Sequence, residues 1–451
     1  MIYRLILFLL MWNNHLPESI MAQTNDQQGI LYGQIDLNTC INYALENHPV
    51  VDQIKIREQI TSKTIASELS AWLPQIDLNA NYQYYLLQPV SIFPDFNDPE
   101  GPKREVTTGV LNTSSLQFGA TQTIYSAEVV SAGSAAKYYR RQVTQSSQQQ
   151  LIELILGVSK AFYTVLLTEA RMDIFLEDRV RIDRSYRDAY SLFETGLSDK
   201  IDYQRAQISL NNINAEIAGT REEIKARYAS LKELMGYPVT GTLSIMRDSN
   251  IAEKAWIDTT IEVKAKDRIE YQLLATNIMI QHANVNYNRL QFLPSLSAFA
   301  NYNLVYQHDE FEALYNRDFP NSLAGLRLNV PLFGGGRKFL QLKIAKLRLN
   351  ELKLDSVILS NRINSEFETA MTSYKSNLKL LNASRQNAII AEGIYNTVRL
   401  QYNQGIKSFL EVIVSEADLR TARINELNAL YRLVTSKLDV DAALGRIYGN
   451  N

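Results

Sequence analysis

Two hydrophobic periods alternate along this chain. In the first, apolar and polar side chains take strict turns. Ile76, Leu78, Ala80, Tyr82, Tyr84 and Leu86 are separated by Gln75, Asp77, Asn79, Asn81 and Gln83, and Leu116, Phe118, Ala120 and Ile124 stand against Ser115, Gln117, Thr121 and Thr123. The pattern returns with Leu296, Ala298, Ala300, Tyr302, Leu304 and Tyr306, and then with Ala324, Leu326, Leu328, Val330 and Leu332. Period two over about ten residues predicts half-buried strands, here about 74–86, 113–125, 294–307 and 321–333. In the second period, apolar residues recur at steps of four and three. Leu151, Ile155, Val158, Phe162, Val165, Met172 and Leu176 form one such stripe, and Ile363, Phe367, Ala370, Tyr374, Leu378 and Leu381 another. This is the stripe of an amphipathic helix or coiled-coil seam. It predicts long helices at about 127–195, 198–235, 335–403 and 407–444, with Leu410, Val414, Ala417 and Ile424 on the seam of the last. No proline falls between Pro102 and Pro238 or after Pro331 to break them. A helix from Ala127 to Thr195 would be roughly 100 Å long at ~1.5 Å per residue, so an elongated protein is expected.

The two halves say nearly the same thing. Trp72-Leu73-Pro74 with Asn81-Tyr82 returns as Phe292-Leu293-Pro294 with Asn301-Tyr302, a shift of 220 positions. Gly196 and Gly236 return as Gly405 and Gly445, a shift of 209. The first copy therefore carries about 11 extra residues between its strands. Duplication on this scale marks one architecture built from two modules, repeat 1 over 36–236 and repeat 2 over 255–445. Gly196 and Gly405 each follow a long helix and precede a returning one, as C-terminal cap glycines do. Each repeat thus pairs a strand hairpin with an antiparallel helix hairpin, and the two glycine turns should share one end.

The polar strand positions change the picture further. They carry Asn, Gln, Asp77 and Arg327 rather than a solvated mixture of Lys and Glu, as expected for a wet lumen behind an apolar outer wall. Tilted strands of about ten residues cross a bilayer. Four strands leave two raw edges, which hydrocarbon forbids, so closure needs several chains. Three protomers would supply twelve strands and a water-filled bore. The loops holding Pro89, Pro94, Pro99 and Pro102, and Asp309, Glu310, Arg317, Asp318 and Pro320, read as exposed hairpin caps.

Composition mostly excludes. A formal charge of −2 gives no basic footprint for nucleic acid. A single cysteine, Cys40, rules out an intramolecular disulfide, and the four histidines are scattered without metal-ligand spacing. Cys40 lies inside a helical pattern and too far from the apolar run Leu5 to Trp12 for a lipoprotein site. Gly334-Gly335-Gly336-Arg337-Lys338 lacks the spacing of a phosphate loop and reads as a strand-to-helix hinge. No arrangement of nucleophile, base or paired acids appears, so neither an enzyme nor a cofactor is expected. Arg4, the apolar run Leu5 to Trp12 and a polar stretch that could be cut after Ala22 read as a signal peptide over 1–22. No later run approaches the ~20 apolar residues of a spanning helix.

The order of these parts resembles the outer membrane efflux protein family, the TolC-like trimeric ducts of Gram-negative bacteria. Asp36-Leu37 leading to Ala44-Leu45-Glu46-Asn47-His48-Pro49 is similar to the family's first-helix signature, with His48 where Asn is commoner. Val330-Pro331-Leu332-Phe333-Gly334-Gly335-Gly336 resembles its strand-to-helix turn. Tyr402-Asn403-Gln404-Gly405 with Ser408, Glu411 and Val412 resembles its helix-tip motif. The first copy departs at Tyr125-Ser126-Ala127-Glu128, which replaces the glycine cluster. The resemblance implies a mainly α homotrimer with a 12-stranded membrane β-barrel and an α-helical barrel reaching into the periplasm. Such a duct serves tripartite efflux or type I secretion as a passive conduit. Its partners would be a periplasmic adaptor (membrane fusion protein), an inner-membrane pump and outer membrane lipid. A periplasmic coiled-coil scaffold without a pore is the alternative.

Three groups of residues follow. By similarity with the family, Asp202 and Glu411, six positions after each tip glycine, would ring a periplasmic gate, with Arg205 and Lys407 as ionic partners; acid in a first helical turn also simply suits the helix dipole. Thr195, Gly196, Leu197, Gln404, Gly405, Ile406 and Ser408 resemble the tip grooves that receive adaptor hairpins. Tyr82, Tyr84, Tyr125, Tyr302, Tyr306 and Phe333 are candidate membrane-interface aromatics, or else pack between strands.

Overall fold

The computed structural model describes residues 33–94, 103–247 and 251–447. The signal peptide expected over 1–22 lies outside the described residues. Two compact units divide the chain. One comprises Asp52–Glu153, Asp258–Lys375 and the residues from Asp439 onward, and carries the sheet; the other comprises the residues up to Val51, Leu154–Ile257 and Ser376–Leu438, and carries the glycine turns.

In the sheet-bearing unit, β2 (Gln75–Tyr84), β5 (Asn112–Tyr125), β7 (Ser295–His308) and β8 (Asp318–Asn329) form one antiparallel sheet in the order β2-β5-β7-β8. Its register aligns the apolar positions across all four strands. Ile76 faces Ala120, Ala300 and Ala324; Leu78 faces Phe118, Tyr302 and Ser322; Ala80 faces Leu116, Leu304 and Pro320. Gln122, a polar residue on that face, donates its side-chain N–H to the Trp72 carbonyl. Because Ile124 and Tyr125 are neighbours, strict alternation could not put both on the apolar face. A bulge between Thr123 and Tyr125 resets the register and sets Tyr125 opposite Leu296.

The opposite face carries Asp77, Asn79, Asn81, Gln117, Asn301, Asn303 and Asn321, with Asn303 donating to Asn321 at 2.8 Å. It is less uniformly polar in the second copy, where Phe299, Val305, Phe319 and Leu323 join it. The Arg327 guanidinium lies 5.1 Å over the Phe299 ring, so this charge is partly met by a π face.

The proline-rich loop, expected as an exposed hairpin cap, contains a second small hairpin in which β3 (Val90–Phe93) pairs with β4 (Arg104–Thr107). Pro99 and Pro102 lie outside the described residues.

The helices are α1 (Leu37–Asn47), α2 (Pro49–Ser70), α3 (Ala127–Glu194), α4 (Lys200–Met235), α5 (Ile251–Lys254), α6 (Ile269–Leu290), α7 (Arg337–Asn403) and α8 (Phe409–Ala443). α3 and α7 run 68 and 67 residues and contribute to both units. Along α7, Phe367, Tyr374, Leu381, Ala388 and Tyr395 are all buried. Their seven-residue spacing is the seam of a coiled coil. Near the start of α8 the packed stripe is shifted from the expected one: Phe409, Val412 and Leu419 are buried, while Leu410 and Val414 are 46% and 51% exposed. Further along, Val434 is buried, as its place on the expected stripe requires. Likewise Phe175 of α3 is buried and Leu176 is 41% exposed. Against expectation, α3 contains an 18-residue window hydrophobic enough to span a membrane, with mean hydropathy 1.6. It is apolar because helices pack around it: Ile155, Val158, Phe162, Val165 and Leu166 are all buried.

Local chemistry sets the element ends. Asp36 caps α1, accepting from Thr39 N at 2.9 Å. His48 Nδ1 accepts from Val50 N at 3.1 Å, a bond that an asparagine oxygen would also accept, and Pro49 then opens α2 as a first-turn proline. Where the first copy lacks the glycine cluster, β5 runs to Tyr125 and Ser126 caps α3, its Oγ accepting from Val129 N at 3.3 Å. In the second copy Gly335 and Gly336 make the turn with φ of 61° and 78°. Cys40 is fully buried in α1 and its thiol is pushed up to about 12, chiefly by burial.

Candidate functional site

Both tip turns are Schellman caps. Gly196 N donates to Phe193 O at 3.0 Å and Leu197 N to Leu192 O at 2.8 Å; Gly405 N donates to Tyr402 O at 2.9 Å and Ile406 N to Gln401 O at 2.9 Å. The glycines hold φ of 72° and 73°, a conformation other residues rarely adopt. The same cap ends α4 at Gly236, where Tyr237 is only 4% exposed. At the tips the corresponding residues, Leu197 and Ile406, are 78% and 66% exposed. Thr195, Gln404 and Ser408 are exposed as well. Ile201 and Ile208 on α4, and Leu410 and Val414 on α8, extend this apolar surface. The sequence reading placed Leu410 and Val414 on the packed seam and did not single out Ile201 and Ile208.

The two acids behave differently. Ser408 and Glu411 form a capping box: Ser408 N donates to Glu411 Oε2 at 2.9 Å and Glu411 N to Ser408 Oγ at 3.4 Å. Lys407 Nζ donates to Glu411 Oε1 at 2.6 Å. The Lys407 ammonium, followed by the Ser408 backbone, holds the Glu411 carboxyl below its usual range. A depressed carboxylate contributes stability above its unfolded pKa, and that contribution is lost as pH falls through the folded value. Asp202 instead accepts from Ser198 Oγ at 2.8 Å, and Asp199 caps α4. Arg205, expected as an ionic partner, makes no ion pair among the described residues. Its side chain is exposed and turned away from the packed face occupied by its neighbour Ala206. Beneath the tips, Ala189, Ala206 and Phe409 form a buried cluster with Tyr186, Tyr203, Tyr402 and Ile413 around it. Burial, followed by Asp202 and Asp188, raises the Tyr402 phenol.

Removing the cap should loosen this end locally. Ser408→Ala is expected to cost about 1 kcal/mol. Hydrogen exchange would then be faster in the first turn of α8 and unchanged in α4.

On the sheet, Tyr82, Tyr84 and Tyr306 stand at the hairpin end of the apolar face, and Tyr125 stands at the helix end. Phe333, 92% exposed, follows β8 at that same end. Tyr302 sits further in, opposite Phe118. The hairpin-end rings also pack laterally. Tyr82 meets Phe311 edge-on at 5.8 Å and donates to Asn112 Oδ1 at 2.6 Å, and Tyr306 meets Tyr315 at 5.1 Å. From Leu296 to Tyr306 along β7 is ~33 Å at ~3.3 Å per residue, or ~25 Å of height at a ~40° tilt. That matches the apolar band of an outer-membrane barrel.

The comparisons agree with this geometry. The outer membrane efflux protein profile matches residues 40–237 and 272–446. Outer membrane protein TolC of Vibrio cholerae serotype O1 is 22% identical over 410 residues, covering 90% of each chain. The alkaline protease secretion protein AprF of Pseudomonas aeruginosa is 24% identical over 322 residues, 66% of this chain and 64% of AprF. The cation efflux system protein CusC of Escherichia coli K12 is 22% identical over 313 residues, 67% of this chain and 66% of CusC. Among solved structures, the outer membrane protein VceC of Vibrio cholerae superposes with a TM-score of 0.70 at 16% identity, covering 91% of this chain and 96% of that one. The CmeC outer membrane channel of Campylobacter jejuni gives 0.70 at 15% identity, covering 94% and 92%.

A duplicated helix hairpin joined to a two-faced sheet of this height defines the class of outer membrane efflux channels with long periplasmic helices. The chain belongs to the outer membrane efflux protein family. Its relatives are channel proteins rather than enzymes.

Proposed function

We propose that three copies of this chain close a 12-stranded barrel in the outer membrane and act as a passive duct, performing no chemistry. The observation that carries this is the sheet. Among the described residues its edge strands β2 and β8 each lack a neighbour on one side, and its apolar face is exposed, with Ile76 at 79% and Leu326 at 70%. Backbone groups on open edges cannot be left unpaired in hydrocarbon. The strand directions alternate, so β8 of one copy can pair antiparallel with β2 of the next.

The tip turns form the periplasmic mouth, and the apolar surface of Leu197, Ile406 and their neighbours receives a periplasmic adaptor coupled to an inner-membrane pump. Asp202 and Glu411 would repeat three times around this mouth. The capping-box geometry supports a structural part for Glu411 alongside any gating one. Relatives named for protease secretion and for cation efflux match 66% and 67% of this chain, which supports a duct that does not by itself select cargo.

The test is reconstitution of the detergent-extracted protein into planar bilayers. A trimer giving discrete conductance steps, mostly shut without a partner, is expected. A water-soluble species without conductance would instead favour a periplasmic scaffold.

A further inference from the structure

Within the tip-bearing unit, α3 and α8 bring two carboxylates into the same packed interior. Asp178 of α3 is completely buried, and Glu416 of α8, eleven positions after Gly405, is 4% exposed. Asp178 Oδ2 and Glu416 Oε1 have no hydrogen-bond partner among the described residues. Unpaired buried polar atoms of this kind are costly.

The surrounding charges are asymmetric. Asp178 has a direct partner in Arg181 of its own helix. Glu416 has no ion pair among the described residues; Arg181 of α3, Arg420 of α8 and Arg399 of α7 act on it from further away, and Asp178 opposes it. Arg399 donates to Tyr395 Oη at 3.0 Å. Arg423 of α8 spans to Glu177 of α3 at 2.8 Å and to Glu392 of α7 at 3.3 Å. Arg420 and Arg423 also act on Asp178. From α4 the neighbouring groups are apolar, since Leu210, Ile213 and Ile217 pack against Phe175 and Ile182 of α3. Eight charged groups therefore join the first helical hairpin to the second, and one acid among them lacks a counter-ion.

We propose that Asp178 and Glu416 form a proton-operated clamp that holds α8 against α3 while Glu416 is protonated and loosens when it ionises. A neutral Glu416 carboxyl carries no charge to desolvate, so the dry position tolerates it without a counter-ion. An ionised one places a second buried anion against Asp178, and separating the two hairpins to admit water relieves the repulsion.

Burial is the main reason that the Glu416 carboxyl is pushed up to about 7, and it also raises Asp178. The linkage is opposite in sign to that of Glu411. For an acid whose folded pKa is raised, the closed packing is strongest relative to the opened state at low pH. It weakens from the solvent value of ~4.3 upward, and the full loss is reached above the folded value. Glu411, held below its usual range at the tip, titrates beneath that window, so the two acids are separable by pH.

The clamp rests on the duct reading only where conductance is measured. In planar bilayers, the open probability of the wild-type trimer should rise about tenfold from pH 6 to pH 8.5. Glu416→Gln keeps the size of the side chain and its ability to donate a hydrogen bond, but cannot ionise, and should abolish the rise. In parallel, the thermal midpoint of the detergent-solubilised Glu416→Gln protein should exceed that of wild type at pH 8.5 and converge on it at pH 4, below the solvent value. Equal midpoints at both pH values, or a Glu416→Gln channel that keeps the wild-type slope, would overturn the clamp. Absence of conductance at every pH, with the midpoint difference intact, would overturn the duct and leave the clamp standing.

Discussion

Leu78→Arg is expected to prevent stable insertion of the trimer, whereas Asn79→Arg, one residue further along β2, should leave insertion intact. Leu78 shares a row with Phe118, Tyr302 and Ser322, close to midway between the Leu296 and Tyr306 rows. An arginine at the midplane of a barrel's lipid face costs ~2–4 kcal/mol, and a trimer would carry the penalty three times. Asn79 points to the other face, where it donates to Asp77 at 2.7 Å; an arginine there gains an acidic neighbour and stays in the wet bore. In a water-soluble sheet both positions would be exposed and both changes nearly neutral, because surface substitutions usually lie within about 0.5 kcal/mol. The measurement is the amount of heat-modifiable trimer in isolated outer membranes. Equal yields from both variants would remove lipid from the account of the apolar face.

The second large effect is expected at Gly236. This residue ends α4 with φ of 68°, and an added Cβ would sit 2.8 Å from His48 Cα and 3.1 Å from Asn47 O. Those atoms belong to the backbone of the turn between α1 and α2, so no side-chain rotation relieves the clash. Gly236→Ala combines the left-handed penalty of ~1–2 kcal/mol with an overpacking cost of ~1–3 kcal/mol. Gly405→Ala at the tip is the control. Its φ is 73°, but nothing lies within 4 Å of the added atom, so only the conformational penalty applies. Thermal melting of the two purified variants should rank Gly236→Ala well below Gly405→Ala. Similar midpoints would mean that the α1 turn yields to α4 more easily than its backbone contact suggests.

Much of the architecture was legible because it rests on short-range rules. Alternation at Ile76 to Tyr84 and at Leu296 to Tyr306 specifies strands whatever surrounds them, and the glycines at 196 and 405 specify left-handed caps. Other features depended on partners distant in sequence. The parallel pairing of β1 (Gln34–Ile35) with β6 (Ser244–Ile245) joins segments with no strand-length pattern of their own. The α8 seam was misread at Leu410 and Val414 because apolar residues lie on two faces of that helix, and only packing against α3 and α4 decides which is covered. The tip acids were found by position, but their roles were not. Glu411 is taken up by Lys407 and Ser408, while Asp202 binds Ser198.

The amino-acid order alone determined the duplication, the strand and helix periods, the glycine turns and the two-faced character of the sheet, since each follows from backbone preference and side-chain spacing within a few residues. Tertiary structure alone decided which apolar stripe is buried, where the bulge carries Tyr125 onto the apolar face, and that Asp178 and Glu416 are each buried. Burial and the electrostatics of a buried group are set by atoms brought from far along the chain. No local pattern encodes them.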